Sequence, residues 1–239
     1  MSKLVWDAIG EHLYETGTKK GVLYPMANNA YPTGVAWNGL TAVTESPEGA
    51  EPTDIYADDI KYLTLRSAEN FKATIEAYTY PDEFAECDGS AMVLSGVKIG
   101  QQGRKAFGFS FVSTLGNDTE LNEHGYMIHL IWGATASPSE RSYQTINDSP
   151  EAITFSWEIS TVPAEVGTID GVTYKPCACM TIDSTKFTGA DASKLEALEG
   201  VIYGKDAEGQ TQASAAWLPT PAQVISILKT GNVPNPPST

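Results

Sequence analysis

The sequence has few basic residues and no dense cluster of them. Its 239 residues include 15 Lys and Arg against 30 Asp and Glu, so the formal net charge is −15. Binding to DNA phosphates or to an anionic membrane requires Lys and Arg. The shortage of base therefore argues against a surface that grips DNA or docks on a membrane. Two explanations of the acid stay open: it keeps the protein soluble, or it forms a surface that repels an anionic molecule.

Cysteines and long apolar runs are scarce as well. The three cysteines, Cys87, Cys177 and Cys179, are odd in number and indicate no disulfide framework. The N-terminal residues lack the apolar core of a signal peptide. No stretch approaches the roughly 18 apolar residues of a membrane span. We therefore expect a chain that is made and folds in a reducing cytosol and has no membrane partner.

Signatures of catalysis and of metal binding are also missing. Cys177 and Cys179 would share one face of a strand, but a zinc site needs more ligands at suitable spacing, so we interpret the cysteines as small buried residues. The histidines show no nucleophile or orienting acid in the sequence pattern. The adjacent Asp82 and Glu83 leave glycoside hydrolysis or calcium binding as minor alternatives. We expect no enzymatic activity, no cofactor and no bound metal.

What the sequence has in abundance is two-residue alternation of apolar and polar side chains, which is typical of half-buried β-strands. In residues 71–80, for example, Phe71, Ala73 and Ile75 share one face and Glu76 lies on the other. The same pattern predicts strands at residues 21–24, 33–44, 61–66, 107–111, 126–132, 141–146, 152–161 and 172–182. Many strands without interleaved helices predict a mainly β fold, namely a two-sheet β-sandwich.

Two peripheral helices are predicted near the C-terminus. The first begins after Asp191 and ends at Gly204, and the second has Thr220 as its N-cap, Pro221 at its first position and Gly231 at its end. We expect three units in the chain. These are an N-terminal arm at 1–20, the β-sandwich domain at 21–204 with long loops at 45–60 and 81–92, and a C-terminal helix with a loose tail at 205–239.

Nine short stretches of the chain form a further pattern. The stretches are Tyr14-Glu-Thr-Gly17, Gly21-Val-Leu-Tyr-Pro25, Gly34-Val-Ala-Trp-Asn-Gly-Leu40, Tyr56-Ala-Asp-Asp-Ile-Lys-Tyr62, Ala73-Thr-Ile-Glu-Ala-Tyr-Thr-Tyr-Pro-Asp-Glu-Phe84, Ala85-Glu-Cys-Asp-Gly-Ser90, Gly116-Asn-Asp-Thr119, Asn147-Asp-Ser-Pro-Glu-Ala-Ile-Thr-Phe155 and Thr181-Ile-Asp-Ser-Thr185. They run from about residue 14 to the first helix, and together they resemble the major tail proteins of siphoviruses that infect Gram-positive bacteria. They are architectural stretches and carry over no catalytic or binding residues.

The resemblance implies a fold similar to that of phage tail tube proteins and type VI secretion tube proteins. In that fold two sheets form a sandwich, six subunits close a ring, and rings stack around a lumen. It implies a structural protein of the virion tail, made in the host bacterial cytoplasm. The implied partners are further copies of the chain, other tail proteins such as the tape measure, tail terminator and distal tail proteins, and double-stranded DNA that passes without specific binding.

Two acids are candidates for the lumen wall. Alternation places Glu76 and Glu158 on the polar faces of residues 71–80 and 152–161, opposite apolar faces that must be buried. We predict that one of these polar faces lines the lumen, where like charge would keep the DNA backbone from adhering. The outer solvent is the alternative location.

The acidic segment at residues 45–59 is the candidate ring-stacking loop. Its six acids have no base among them, and Pro and Gly interrupt it. We predict a mobile loop that becomes ordered on a basic neighbour, or, alternatively, an ordinary solvated loop. The candidate contact residues are Glu48, Glu51, Asp54, Ile55, Tyr56, Asp58 and Asp59, with the two apolar ones as anchors.

A second class of function stays open. A β-sandwich could be a carbohydrate-binding or adhesin module that uses exposed aromatic side chains such as Tyr78, Tyr80 and Tyr126. Packing at the margins of the sheets is the alternative role for these tyrosines. A hydrolase built on the loop carboxylates is a third and weaker hypothesis.

Overall fold

The computed structural model describes residues 3–146, 148, 152–207 and 213–238, and they form a mainly β fold with a few short helices, as predicted. In chain order the strands are β1 (Tyr14–Pro25), β2 (Val35–Trp37), β3 (Leu40–Glu45), β4 (Glu48–Gly49), β5 (Pro52–Ala57), β6 (Ile60–Arg66), β7 (Glu69–Asn70), β8 (Lys72–Ala77), β9 (Ala91–Leu94), β10 (Val97–Ile99), β11 (Phe107–Asn117), β12 (Leu121–Ala136), β13 (Phe155–Thr161), β14 (Gly167–Ile169), β15 (Val172–Tyr174) and β16 (Cys179–Asp183). The α-helices are α1 (Ala85–Asp88), α2 (Ala192–Ile202) and α3 (Pro221–Thr230), and 3₁₀ turns lie at Asp82–Phe84, Ser184–Lys186 and Gly189–Asp191.

One antiparallel sheet of eight strands dominates the molecule. Its order is β2-β1-β11-β12-β13-β8-β3, and β16 also pairs with β12. The sheet folds over on itself, because Trp37 of β2 packs 5.5 Å from Trp157 of β13 although three strands separate them in the order. The two halves of this single sheet thus face each other, as the layers of a β-sandwich do.

Strand β12 makes the fold-over possible. Its middle pairs with β16, whereas its last residues, Ala134–Ala136, pair with β13. Between these two partners lies Gly133, which adopts a φ of +62° and whose ideal Cβ would stand 2.2 Å from the carbonyl oxygen of Val162. Only glycine fits this close approach of two backbones at a left-handed φ.

Two apolar clusters lie on opposite faces of the sheet. The inner cluster fills the fold-over and includes Trp37, Ile75, Phe84, Phe109 and Trp157. The outer cluster holds α2 and α3 against the other face of β1, β11 and β12. Alternation along β11 explains the arrangement, since every second side chain turns to the inner cluster while Val112 turns to the outer one.

The helices begin and end as the sequence predicts. In α3 the Thr220 side chain accepts a hydrogen bond from the Gln223 backbone N–H, Pro221 occupies the first position, and Gly231 caps the end at a φ of +75°. Helix α2 starts after Asp191, which makes no side-chain cap. None of the helices in the described ranges has the length and hydropathy that crossing a bilayer requires.

Several predicted strand boundaries are wrong. Residues 33–44 form two strands, because Gly39 turns the chain at a φ of +77°. Residues 172–182 likewise contain two strands, residues 141–146 form none, and β13 begins only at Phe155. A short alternating run specifies a possible strand, but hydrogen bonding to a neighbouring strand decides whether it forms one.

The predicted loops at 45–60 and 81–92 are both structured. The first is most of a long β-hairpin in which β4 pairs with β7 and β5 with β6. The second contains a 3₁₀ turn and α1, and it buries Phe84 and Cys87 in the inner cluster. In each segment the prediction did not recognise the residues that turn the chain. Asp58 and Asp59 adopt the positive φ of a tight hairpin turn, and Gly89 caps α1.

The ends of the chain are more integrated than the predicted units imply. Strand β1 begins at Tyr14, so residues 3–13 alone form the described part of the arm. Near the other end, Trp217 and Val224 belong to the outer cluster, and the indole N–H of Trp132 donates to the Pro219 carbonyl at 2.9 Å. Residues 1–2, 208–212 and 239 of the two predicted terminal units lie outside the described residues.

Candidate assembly surfaces

The strands β3, β8 and β13 present one polar face. Glu76 pairs across the strands with Ser156 and with Ala42, and Glu158 pairs with Thr74, so both acids share this face. The opposite face carries Ala73, Ile75 and Ala77, which are fully buried, together with Trp157 and Ile159. Apart from Lys72, the remaining residues of the polar face are small or hydroxylated, namely Ala42, Thr44, Thr74, Thr135, Ser156 and Ser160.

Lys72 is the basic residue of this face. Its Nζ lies 2.8 Å from a Glu48 carboxylate oxygen and 3.7 Å from one of Glu158. The hydrogen bond to Glu48 is the main cause that raises the pKa of Lys72 above its usual value. Because this one cation is shared by two carboxylates and Glu76 adds a third, the face keeps a net negative charge.

The hairpin built by β4–β7 projects from the sheet. Every residue of β5 and β6 is exposed, and these two strands pair with each other but with no other strand of the described chain. Exposed apolar side chains nevertheless line it, since Tyr56 is 66% exposed, Ile60 64% and Tyr62 68%. Apolar side chains on a projecting hairpin contribute nothing to the core, and their grouping is typical of an interaction surface.

The acids of the hairpin are partly neutralised, which corrects the expectation that no base compensates them. Lys61 Nζ lies 2.8 Å from Asp54 Oδ1, and Thr64 donates to the same oxygen at 2.7 Å. These two contacts, that of Lys61 first, lower the pKa of Asp54. The hairpin is therefore an ordered arm, and its acids Asp58 and Asp59 stand at its tip.

Three further projections expose apolar side chains that the sequence analysis did not single out. The N-terminal arm exposes Trp6 at 71% and Ile9 at 86%. The β9–β10 hairpin exposes Val93 and Leu94, and the β14–β15 hairpin exposes Val172 and Tyr174. In the N-terminal arm the sequence already indicates such a surface, because the apolar residues Leu4, Val5 and Trp6 interrupt a polar segment.

The N-terminal arm is tethered at its end. The Gly10 backbone N–H donates to Asp118 Oδ1 at 2.9 Å, and His12 Nδ1 lies 3.1 Å from Asp118 Oδ2. The contact with His12 is the main cause that lowers the pKa of Asp118. The tether holds the end of the arm at the turn between β11 and β12.

His129 closes the seam where β3 returns beside β1. Its ring stacks on Phe111 with centroids 4.3 Å apart. Its Nε2 lies 2.9 Å from Ser113 Oγ and 3.3 Å from Glu15, while its Nδ1 stands 4.0 Å from Glu45. In a catalytic triad the nucleophile contacts one ring nitrogen of the histidine and the orienting acid contacts the other. Here Ser113 and Glu15 both contact Nε2, and Ser113 donates to Glu15, so the three side chains do not form a triad.

The other candidate chemical groups are engaged elsewhere or dispersed. Asp82 binds Lys98 at 2.7 Å, so the Asp82–Glu83 pair is not free. Cys87 is buried, which raises the pKa of its thiol to about 12, whereas Cys179 is exposed, contrary to the expectation that all three cysteines are buried. In the described part of the chain, no group of three His, Cys, Asp or Glu side chains could hold a metal ion.

The three tyrosines considered for sugar binding do not form a platform. Tyr78 is 54% exposed. Tyr80 packs edge-on against Phe155 and Trp157, each with its ring 5.3 Å away. Tyr126 packs against the outer cluster and donates its hydroxyl to Glu199 at 2.7 Å. Two of the three therefore pack at the sheet margins.

Comparison with solved structures found similar chains, one of which comes from a prophage baseplate and has low similarity. No family model matches the chain, and no curated protein matches it. The chain is similar to one in a solved structure titled "Cryo-EM structure of the anti-feeding prophage (AFP) baseplate, 6-fold symmetrised". The TM-score is 0.33 and the identity 12%, over 76% of this chain and 97% of that chain. A likeness at this level does not decide what the chain does.

Proposed function

We propose that this chain is a virion structural protein, the major tail tube subunit of a long-tailed phage. Its copies close into rings, with six as the number that the sequence resemblance implies, and the rings stack into a conduit for DNA. In this proposal the chain has no enzymatic activity. Its partners are its own copies and the other tail proteins, while double-stranded DNA passes through without specific binding.

The observation that carries the proposal is the placement of exposed apolar side chains. They are concentrated on projections, namely the arm at residues 3–13 and the three hairpins, while the body of the sheet is well covered. Large exposed apolar patches on soluble proteins mark sites of association. Four separate projections suit a subunit that contacts several neighbours at once, as a subunit in a stacked ring does.

The edges of the sheet support a ring. In the described chain β2 and β3 end the strand order, and each pairs on one side only. Unpaired edges invite pairing with another chain. A head-to-tail contact repeated by rotation closes into a ring and leaves no such edge open.

The polar face of β3, β8 and β13 suits the wall of the bore. Its side chains are small or hydroxylated, and Glu76 and Glu158 give it a negative charge that one lysine only partly offsets. DNA would slide along such a face, because phosphates adhere to Lys and Arg. The hairpin tip that carries Asp58 and Asp59 would then reach the next ring.

The alternative, a carbohydrate-binding or adhesin module, has less support. Sugar sites use exposed aromatic rings, and two of the three candidate tyrosines are packed. A binding module also has no need of apolar side chains on four projections.

Electron microscopy of the purified full-length chain tests the proposal. We expect concentrated protein to form tubes with regular axial striation, and end-on class averages to show a ring around an open centre. A two-fold dimer as the only assembly would contradict it, and so would a monomer at every concentration that binds glycans on an array.

A hairpin exchange tests the stacking role. Gly49 already pairs with Glu69, so replacing residues 50–68 by Asn-Gly closes a two-residue turn at an existing pair. The removed residues are almost all exposed, so the variant should keep its unfolding temperature. We expect it to form no long tubes. Tubes of normal length would show that the hairpin does not stack rings.

A further inference from the structure

A cleft lies along the edge of the sheet formed by β1 and β2. Its volume is about 580 Å³. Lys19 and Lys20 stand on one wall, the Asn38–Gly39 turn lies on another, and the half-buried Tyr203 contributes aromatic surface. The cleft is therefore concave, aromatic and basic, in a chain whose net charge is −15.

The two lysines of this cleft are free. Among the described residues neither has a carboxylate within 4 Å. Lys20 Nζ instead lies 5.3 Å above the ring of Tyr203. The other adjacent basic pair, Arg104 and Lys105, is neutralised within the chain by Asp88 and Glu86. Two unneutralised ammonium groups beside an aromatic ring suit an anionic ligand with an apolar flank.

The tip of the long hairpin has the complementary chemistry. Asp58 and Asp59 form its two-residue turn at φ of +51° and +61°, and within the described chain neither has a base within 4 Å. The flanking Tyr56 and Ile60 are exposed. The tip thus presents two carboxylates between two apolar side chains.

We propose that the β1–β2 cleft of one copy receives the hairpin tip of a second copy. Lys19 and Lys20 pair with Asp58 and Asp59, and the apolar flanks of the tip pack on the aromatic surface of the cleft. The contact joins two different surfaces and so repeats head to tail. The inference rests on the proposed tube function and names the surface that the stacking hairpin binds.

Charge reversal in two separate variants tests the contact. The cleft variant is K19D/K20D and the tip variant is D58K/D59K. In each, cleft and tip carry the same sign and repel, so the concentration needed for tube formation should rise at least about tenfold. In an equimolar mixture every contact between unlike variants joins opposite charges, so copies that alternate should assemble within about threefold of the wild-type concentration.

Two further variants control the experiment. K186D/K194D changes the net charge as the cleft variant does, but at lysines of the Ser184–Lys186 turn and of α2, away from the cleft and the projections, and should assemble as the wild type does. D58N/D59G keeps the tight turn, since Asn-Gly favours it, and should weaken assembly and reduce its dependence on salt.

The outcomes separate this inference from the proposed function. If the wild type and both reversed variants form tubes at the same concentration, the cleft–tip contact is wrong and the tube function stands. Failure of the mixture to recover, with both variants folded, also overturns the contact. If the wild type forms no tubes at any concentration, both proposals fail.

Discussion

The ammonium group of Lys72 lies 2.8 Å from the carboxylate of Glu48, and this ion pair joins the polar face of the sheet to the base of the projecting hairpin. Lys72 belongs to β8 and Glu48 to β4, so the pair crosses from the main sheet to the arm. The same lysine reaches Glu158 on β13. The proposed bore surface and the proposed stacking arm therefore share one contact.

Substitution of Lys72 tests that link. In Lys72→Met the two carboxylates lose their shared cation, so we expect faster amide hydrogen exchange across residues 46–70. The unfolding temperature should stay close to that of the wild type, because exposed ion pairs contribute little to stability. Lys105→Met, which removes a different exposed pair, is the control. Equal exchange at residues 46–70 in both variants would contradict the link.

The sign of charge on the polar face should control DNA affinity. Assembled tubes of Glu76→Lys/Glu158→Lys are expected to retain DNA at low salt and release it as salt rises, because each added cation displaces counterions. The control is Glu83→Lys, which places a cation at an exposed site in the 3₁₀ turn that precedes α1. DNA retention can be measured by co-sedimentation with tubes. If the double variant retains no more DNA than the control, the polar face does not line a bore that DNA enters.

Two buried tryptophans should respond differently to the same substitution. The Trp132 indole donates to Pro219, whereas the Trp157 indole N–H has no partner among the described residues, and both side chains are fully buried. Trp132→Phe leaves a carbonyl unpaired, so it should cost about 1–2 kcal/mol more in unfolding free energy than Trp157→Phe. Urea unfolding of the monomers measures the difference. An equal cost would show that the hydrogen bond adds nothing.

Two glycines allow the cost of backbone strain to be measured separately from the cost of steric crowding. Gly133 and Gly17 both adopt positive φ, but an added Cβ meets the Val162 carbonyl at Gly133 and open space at Gly17. Gly17→Ala should cost about 1 kcal/mol from conformation alone. Gly133→Ala should cost clearly more, since β12 must then move away from β13. Thermal unfolding of both variants compares them, and similar losses would mean that the close approach of Gly133 to Val162 adds no cost of its own.

Acid should loosen the hairpin locally. Lys61 and Thr64 lower the pKa of Asp54, so the folded hairpin binds a proton less readily than the unfolded one. The stabilisation that ionised Asp54 gives the hairpin is complete above the ordinary pKa of an aspartate, and it is lost as the pH falls through the lowered pKa of Asp54. Amide chemical shifts at Lys61 and Thr64 should report this titration. In Asp54→Asn the shifts should stay constant over the same range.

Sequence patterning was reliable where side chains share a periodic face. Alternation correctly buried Phe71, Ala73 and Ile75, and the cap residues located α3. It correctly predicted the returning strand of the hairpin at residues 61–66, but it failed for the outgoing half, residues 48–57, which was predicted as part of a loop. The acids and prolines of that segment are not typical of a strand. It is stabilised by hydrogen bonds to the returning strand and not by burial of an apolar face in a core.

The sequence by itself determined the mainly β fold, the helix ends and the faces on which Glu76 and Glu158 lie, because these depend on residues close together in the chain. Only the tertiary structure decided that one sheet folds over at Gly133, that the projections collect the exposed apolar side chains, and that Lys19 and Lys20 stay free beside Tyr203. Those features depend on contacts between distant segments, and a local pattern of side chains carries no information about which distant segments meet.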